Sequence, residues 1–541
     1  MRFTLLALLL ASQIPQRIAP GYGTIQEATL RANLAFLSSD GMQGRLSLQP
    51  GDDAAAEWVA SEFSKAGLKP AANGSFLQPV PLIEYRTDRA GSFIALSRAG
   101  AEKRWKFPDA YGAFPKEVNV SGDVVFAGFG ITAPELGYDD YKGIDATGKI
   151  VLIFDHEPQE TDAKSIFNGT GNTRYATTRV KVQNAQAHGA IGVLIVAEPN
   201  RKHPSNQERM ARIGGSITRA TPIPSQALAD DTLHTPSAVV SDAIARELFA
   251  NAGITPAEAQ TKIDSDLTTQ SRVLPDTNIT IHLHDLFSHT GTTYNVAGLL
   301  PGSDSRLSAE TLIISAHHDH DGASEKNIWH GADDNGSGTV GVVELAHAFA
   351  ANPTKPKRSI LFVVFAAEER GLLGAFYMTQ HPLRPLADTK AMINFDMIGR
   401  NETESDQTRG LIEVPADTTN RLNADTTNRL NLIGGTYSPE YRHIVEQENA
   451  HVGLVLDDRF DHESALNVFF RSDQFPFVLH DIPAFWWFTG FHPDYHHTTD
   501  TYEKINYVKM AKILRLAYLT AFQIGDAKET PKFVANPRGG V

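Results

Sequence analysis

The chain has 541 residues and a formal net charge of −14, from 49 Lys+Arg against 63 Asp+Glu. An acidic surface repels phosphate backbones and anionic lipid, which excludes nucleic acid and membrane surfaces as default partners. Hydrophobic residues make up 41%, enough for a buried core, and the absence of cysteine removes disulfides, thiolate nucleophiles and sulfur-held metals together.

At the N-terminus, Arg2 precedes the short apolar run Leu5 to Ala11, followed by polar Ser12 and Gln13. This has the shape of a secretory leader and is too short to span a bilayer, and we assign it to residues 1–23. An ordinary buried N-terminal helix is the alternative. No later stretch has the length of a transmembrane helix, and the reading is an exported protein, secreted or periplasmic. Residues 24–117 then begin the main domain: the pattern is largely helical from Thr24 to Ser64, broken by a loop at Ser38 to Asp53 and ended by Gly67 and Pro70.

Residues 118–270 read as an independent β-rich block. Val124 to Ala127, Lys149 to Phe154 and Ala190 to Val196 are predicted strands, with a helix from Thr177 to His188. From there to residue 541, short apolar strands alternate with helices. Thr311 to Ala316, Ser359 to Ala366, Ala391 to Phe395 and Ile482 to Phe488 are the predicted strands, and Gly341 to Ala351 a helix. That alternation implies an α/β fold with a mainly parallel sheet flanked by helices. An octapeptide, Ala416 to Asn423, recurs at Ala424 to Asn431. Two polar copies read as a surface-loop duplication rather than a solenoid.

The residues that follow those strands carry the chemistry. The first strand runs into His317-His318-Asp319-His320-Asp321, and a loop then reaches Asp333-Asp334-Asn335-Gly336 ahead of a helix. The next strands end in Glu368-Glu369 and in Asp396, and the last leads to Tyr495-His496-His497 and Asp500. Open α/β sheets place their ligand crevice at the carboxyl ends of strands. One histidine or aspartate there is commonly a cap or turn residue, but five such positions in one sheet point to a site. Histidine and carboxylate ligands without sulfur suit zinc, with manganese or cobalt as alternatives. Five ligands exceed one tetrahedral metal, and a carboxylate shared between two metals accounts for the excess.

The strings Ala-His317-x-Asp319, Gly-Ala-Asp-Asp334-Asn-Gly-Ser-Gly, Glu368-Glu369, Asn-Phe-Asp396-Met-Ile-Gly and Tyr495-His496-x-x-x-Asp500-Thr501 resemble, in order, those of the co-catalytic di-zinc aminopeptidases. That family also includes glutamate carboxypeptidase. Asp40 to Arg45 is similar to the family's N-terminal segment, and residues 118–270 to an inserted protease-associated (PA) domain, through Gly137 to Tyr141 and Gly148 to Leu152. The resemblance implies a zinc-exopeptidase-like fold over 24–117 and 271–541. It implies two zinc ions, one held by His317 and Asp396, the other by Glu369 and His496, with Asp334 bridging. Asp319 would accept from the His317 imidazole, Glu368 would be the general base toward a metal-bridged water, and Tyr495 would stabilise the oxyanion.

His318, His320 and His497 read as loop residues beside the ligands, and Phe485 to Phe488 as core with one face free to wall a pocket. Gln474 stands where the family often has histidine. The implied activity is removal of N-terminal residues from peptides. A carboxypeptidase or dipeptidase on the same scaffold would need arginines near the metals, for which Arg400 and Arg471 are candidates. A non-catalytic peptidase-like receptor is a further alternative; it would be expected to lose ligands or base, all of which are kept here.

Overall fold

The computed structural model describes residues 14–201, 222–405, 425–464 and 466–537. At its centre four parallel strands, Ser359–Phe365, Thr311–His317, Thr389–Phe395 and Ala484–Phe488, lie side by side in a ten-stranded mixed sheet. Apart from half-buried Lys390, every residue of the four is buried, as apolar runs covered on both faces must be. Successive side chains alternate between two cores. Leu312, Ile314 and Ala316 pack with Val342, Leu345 and Phe349 of the Gly338–Ala351 helix, whereas Ile313 faces the opposite core with Phe365 and Phe477.

The flanks are antiparallel. Asp285–Leu300 pairs with Ser359–Phe365 on one side and with Leu77–Thr87 on the other. Beyond it, Ser225–Leu228 completes the edge. The predicted loop before the first long helix is shorter than expected. The helix already starts at Pro50, where a missing N–H costs nothing because first-turn donors have no intrahelical partner.

A second, eight-stranded sheet lies between the two parts of the main domain. Its order runs Ala101–Trp105, Phe93–Arg98, Arg272–Leu283, Val118–Phe126, Ile150–Phe154, Gly192–Val196, Ser237–Val240 and Ala110–Gly112. It therefore draws strands from both sides of the 118–270 block, while Ser225–Leu228, inside that block, joins the main sheet.

Residues 1–13 of the segment read as a leader lie outside the described residues, but the rest of that segment is packed. Ile18 is buried, its carbonyl accepts from the Tyr518 hydroxyl at 3.1 Å, and the Gly21 amide donates to Asn352 at 3.2 Å. A leader running to residue 23 would take the Ala19–Thr24 helix with it. The first copy of the octapeptide also lies outside the described residues. The end of the second is no surface loop: Arg429, Leu430 and Asn431 open the buried strand Arg429–Ile433.

Candidate metal centre

The strand ends converge. His317 closes its strand and is fully buried. Its Nε2 lies 3.7 Å from Asp334 Oδ1, 3.6 Å from Asp396 Oδ1 and 3.7 Å from Glu368 Oε2. On the other side of Asp334, His496 Nε2 lies 3.2 Å from Asp334 Oδ2 and 3.4 Å from Glu369 Oε2. Both Nε2 atoms are buried and lack a hydrogen-bond partner. The donor atoms of His317, Asp334 and Asp396 fall within 4.8 Å of one another, as do those of Asp321, Glu369 and His496.

Two buried carboxylates, Asp500 and Asp319, brace the turns that carry the centre. Asp500 Oδ2 accepts the amides of Asp333 and Asp334 at 2.9 and 3.1 Å, which fixes the turn carrying Asp334. The Asp319 carboxylate accepts the amides of Glu368 and Glu369 at 2.9 and 3.2 Å. It is thus engaged in holding the glutamate turn. The His317 Nδ1 instead meets the Asp319 carbonyl at 3.2 Å, with the carboxylate at 3.6 Å, so the backbone of Asp319 is the closer partner of the imidazole. Trp486 Nε1 donates to the Asp396 carbonyl at 2.9 Å.

Carboxylates crowd the centre, and their proton affinities diverge. Burial, with Glu369 adding repulsion, pushes the Asp334 carboxyl up to about 6. Burial raises Glu368 far above the usual carboxylate range against the pull of His317, with Asp396, Glu369 and Asp473 adding repulsion. Burial acts on Glu369 too, but His496 and His320 overcome it and hold that carboxyl at about 2. Two neighbouring glutamates thus differ sharply in their affinity for a proton. The Tyr495 hydroxyl is pushed up to about 12, chiefly by burial, and stays protonated at neutral pH. It accepts from Arg471 Nη2 at 3.4 Å.

The residues read as bystanders divide. His318 points away, with its ring nitrogens on Asp52 at 2.9 Å and the Tyr294 carbonyl at 3.0 Å. His497 turns back to the Tyr495 carbonyl at 2.8 Å. His320, by contrast, faces Glu369 Oε1 at 2.9 Å, and its donor atoms group with those of Asp334 and Glu369. Gln474 is buried between Asn394 and the Phe469 carbonyl, away from the centre.

Two acids escaped sequence reading. Asp321 Oδ2 meets His496 Nδ1 at 2.8 Å, and its other oxygen accepts from Arg370 at 2.7 Å. Asp473 is fully buried with neither oxygen hydrogen bonded, and burial raises its carboxyl well above the usual range. An acid two places after Asp319 was a usable signal for the first, but nothing local marks the second. Among the described residues one further His–carboxylate group occurs, His156, Glu160 and Glu198 in the second domain. Arg201 already stands there, 3.2 Å from Glu198 and 3.5 Å from Glu160.

The centre opens into a cavity of about 730 Å³. Its walls combine the glutamate turn with Phe470, Trp486, Phe491 and Tyr495, and its far side is built by Phe114, Arg179 and Asp231 of the second domain together with Leu228 of the main-sheet edge. Trp486 walls the pocket from the apolar strand read as core.

Residues 295–521 match peptidase family M28, and residues 120–246 match the PA domain. The domain carrying the cluster belongs to peptidase family M28. Leucine aminopeptidase 2 of Trichophyton rubrum is 28% identical over 214 residues, which is 39% of this chain and 37% of the relative. The chain therefore spans about 37% of the length of that curated relative. Among solved structures, an aminopeptidase from Aneurinibacillus sp. strain AM-1 aligns over 96% of both chains with 18% identity and a TM-score of 0.49. A zinc aminopeptidase from Bacillus subtilis aligns over 97% of this chain and 98% of its own, with 18% identity and a TM-score of 0.42.

Proposed function

We propose that this M28 protein is an exported di-zinc aminopeptidase, hydrolysing the N-terminal residue from peptides. One observation carries the reading: two buried, partnerless imidazole nitrogens face opposite oxygens of one carboxylate, Asp334. Hydrogen bonding alone does not account for such a pair, whereas two cations sharing Asp334 would. His317 and Asp396 would hold one ion, and Glu369 and His496 the other; His and carboxylate oxygen are ligands that zinc accepts. Bound there, the ions supply Lewis acidity to a scissile carbonyl and acidify water.

The protein's own groups would do the rest. Glu368 has the raised proton affinity that a base needs in order to take a proton from the attacking water and return it to the leaving amine. Tyr495, still protonated, would donate its hydroxyl proton to the developing oxyanion. The PA domain would roof the cavity. Names of the relatives and the leader-like N-terminus support peptides as substrates and a secreted or periplasmic location.

The test is hydrolysis of matched peptides with free and N-acetylated amino termini, together with zinc content by mass spectrometry. Cleavage only of free amino termini, with two zinc ions per chain, is the expected result. Cleavage of blocked peptides from the carboxyl end would favour a carboxypeptidase. Arg400 offers such an enzyme little, since it is committed to Asp494 at 2.7 Å and lies 3.7 Å from Asp500.

A further inference from the structure

The cations on the cavity wall are not equivalent. Arg179 is held by both oxygens of Asp231 at 2.6 and 3.0 Å, and Arg370 by Asp321 at 2.7 Å. Arg471 has no carboxylate partner among the described residues. Its guanidinium lies over the Phe491 ring at 5.4 Å and makes one hydrogen bond, to the Tyr495 hydroxyl. A half-buried guanidinium with five donors and one neutral protein partner has donors free to meet an anionic ligand, in a chain whose net charge is −14.

We propose that Arg471 binds the terminal carboxylate of the residue on the leaving side of the scissile bond, so that dipeptides are the preferred substrates. This rests on the aminopeptidase reading above. In a dipeptide the scissile carbonyl carbon and the carboxylate carbon are separated by three bonds, C–N, N–Cα and Cα–C, and so lie less than about 4 Å apart. Tyr495, next to His496 in the chain and in the cavity wall, is the group placed to meet the scissile oxygen. A guanidinium 3.4 Å from its hydroxyl therefore stands at the reach of that carboxylate. Arginine offers a carboxylate two parallel donors, which a hydroxyl or an amide does not match. A dipeptide also suits a cavity of about 730 Å³ roofed by a second domain.

The test compares Leu-Leu, its C-terminal amide Leu-Leu-NH₂ and N-acetyl-Leu-Leu on the zinc-loaded enzyme. The acid should exceed the amide by about tenfold to a hundredfold in kcat/KM, the size of one charge-assisted hydrogen bond, with the difference mainly in KM. In Arg471→Gln the acid-to-amide ratio should fall to near one, and Arg471→Lys should restore part of it. Because the ratio is internal to each protein, a general loss of activity through Tyr495 does not imitate the effect. The wild-type ratio decides even if a variant does not fold. Equal rates on acid and amide would overturn this inference and leave the aminopeptidase reading standing. Cleavage of N-acetyl-Leu-Leu as fast as Leu-Leu would overturn that reading and leave the carboxylate site in place.

Discussion

Asp321 Oδ2 lies 2.8 Å from His496 Nδ1, so the imidazole that faces Asp334 and Glu369 is aimed from behind by a buried carboxylate. A ligand histidine oriented in this way loses affinity for its metal when the partner goes, typically by about 10–100-fold. Asp321→Asn should weaken zinc binding by that amount, read by competition with a chromogenic chelator. His496→Ala should lose zinc outright and His497→Ala keep it. Full zinc affinity in Asp321→Asn would refute the role given to Asp321.

Glu368 and Glu369 should fail differently. Glu368→Gln keeps the shape and the ligands but removes the base, so kcat should fall by about 10²–10⁴ with zinc retained and KM little changed. Glu369→Gln exchanges an anionic group facing His496 for a neutral amide and should lower zinc stoichiometry first. Steady-state kinetics and metal analysis on the two proteins decide the assignment, and the reverse pattern would exchange the roles.

Arg45 is the strut beneath the centre. Its buried guanidinium donates to the carbonyls of His318 at 2.7 Å, Leu37 at 3.0 Å, His330 at 2.7 Å and Gly331 at 2.8 Å. Burial lowers its pKa to about 10, against support from Asp319, Asp500, Asp334 and Asp52, so it remains charged at neutral pH. Arg45→Met leaves buried carbonyls and acids uncompensated and should cost about 3–5 kcal/mol of stability. Arg45→Lys should recover little of it, because a single ammonium cannot reproduce the planar fork. Thermal and urea unfolding measure both.

Glu344 supplies a pH dependence remote from the centre. On the Gly338–Ala351 helix it is buried, with the Gln26 amide at 3.4 Å as its partner, and burial raises its carboxyl to about 7. The folded protein then holds a proton that the unfolded chain, with an ordinary carboxyl near 4.5, releases. Its contribution is therefore full below about 4.5 and is lost as the pH rises through about 7. Glu344→Gln should stabilise the protein at pH 8 by about 1–3 kcal/mol and do little at pH 4.5. Melting curves at the two pH values check this, and an equal effect at both would contradict it.

The central strands were legible because an apolar run buried on both faces is its own signal. The acids and imidazoles at their carboxyl ends followed from the same pattern. Leu77–Thr87 was hidden for a physical reason. Pro79 and Pro81 argue against a strand, yet they precede the Leu82–Tyr85 stretch that Ser225–Leu228 covers, where their missing donors are not needed. The pairing of Ser225–Leu228 with a segment some 140 residues earlier has no local trace at all. The family resemblance implies the Asp319 carboxylate as a histidine partner, and it does lie 3.6 Å from His317 Nδ1. Only the fold brings the Glu368 and Glu369 amides onto it.

That crossing strand also limits how the roof of the cavity can move. Chain from within the PA block is stitched into the edge of the main sheet over Leu82 to Tyr85, and Arg179 lies flat on Phe376 of the opposite wall at 3.9 Å. Lifting the roof would mean peeling a strand and unstacking a ring, so the aperture behaves as a rigid mesh rather than a door. For the proposed peptidase, entry would then be decided by cross-section: a dipeptide or a slender, unfolded end would thread through, while a terminus tucked into a folded domain would be turned away before any side chain is read.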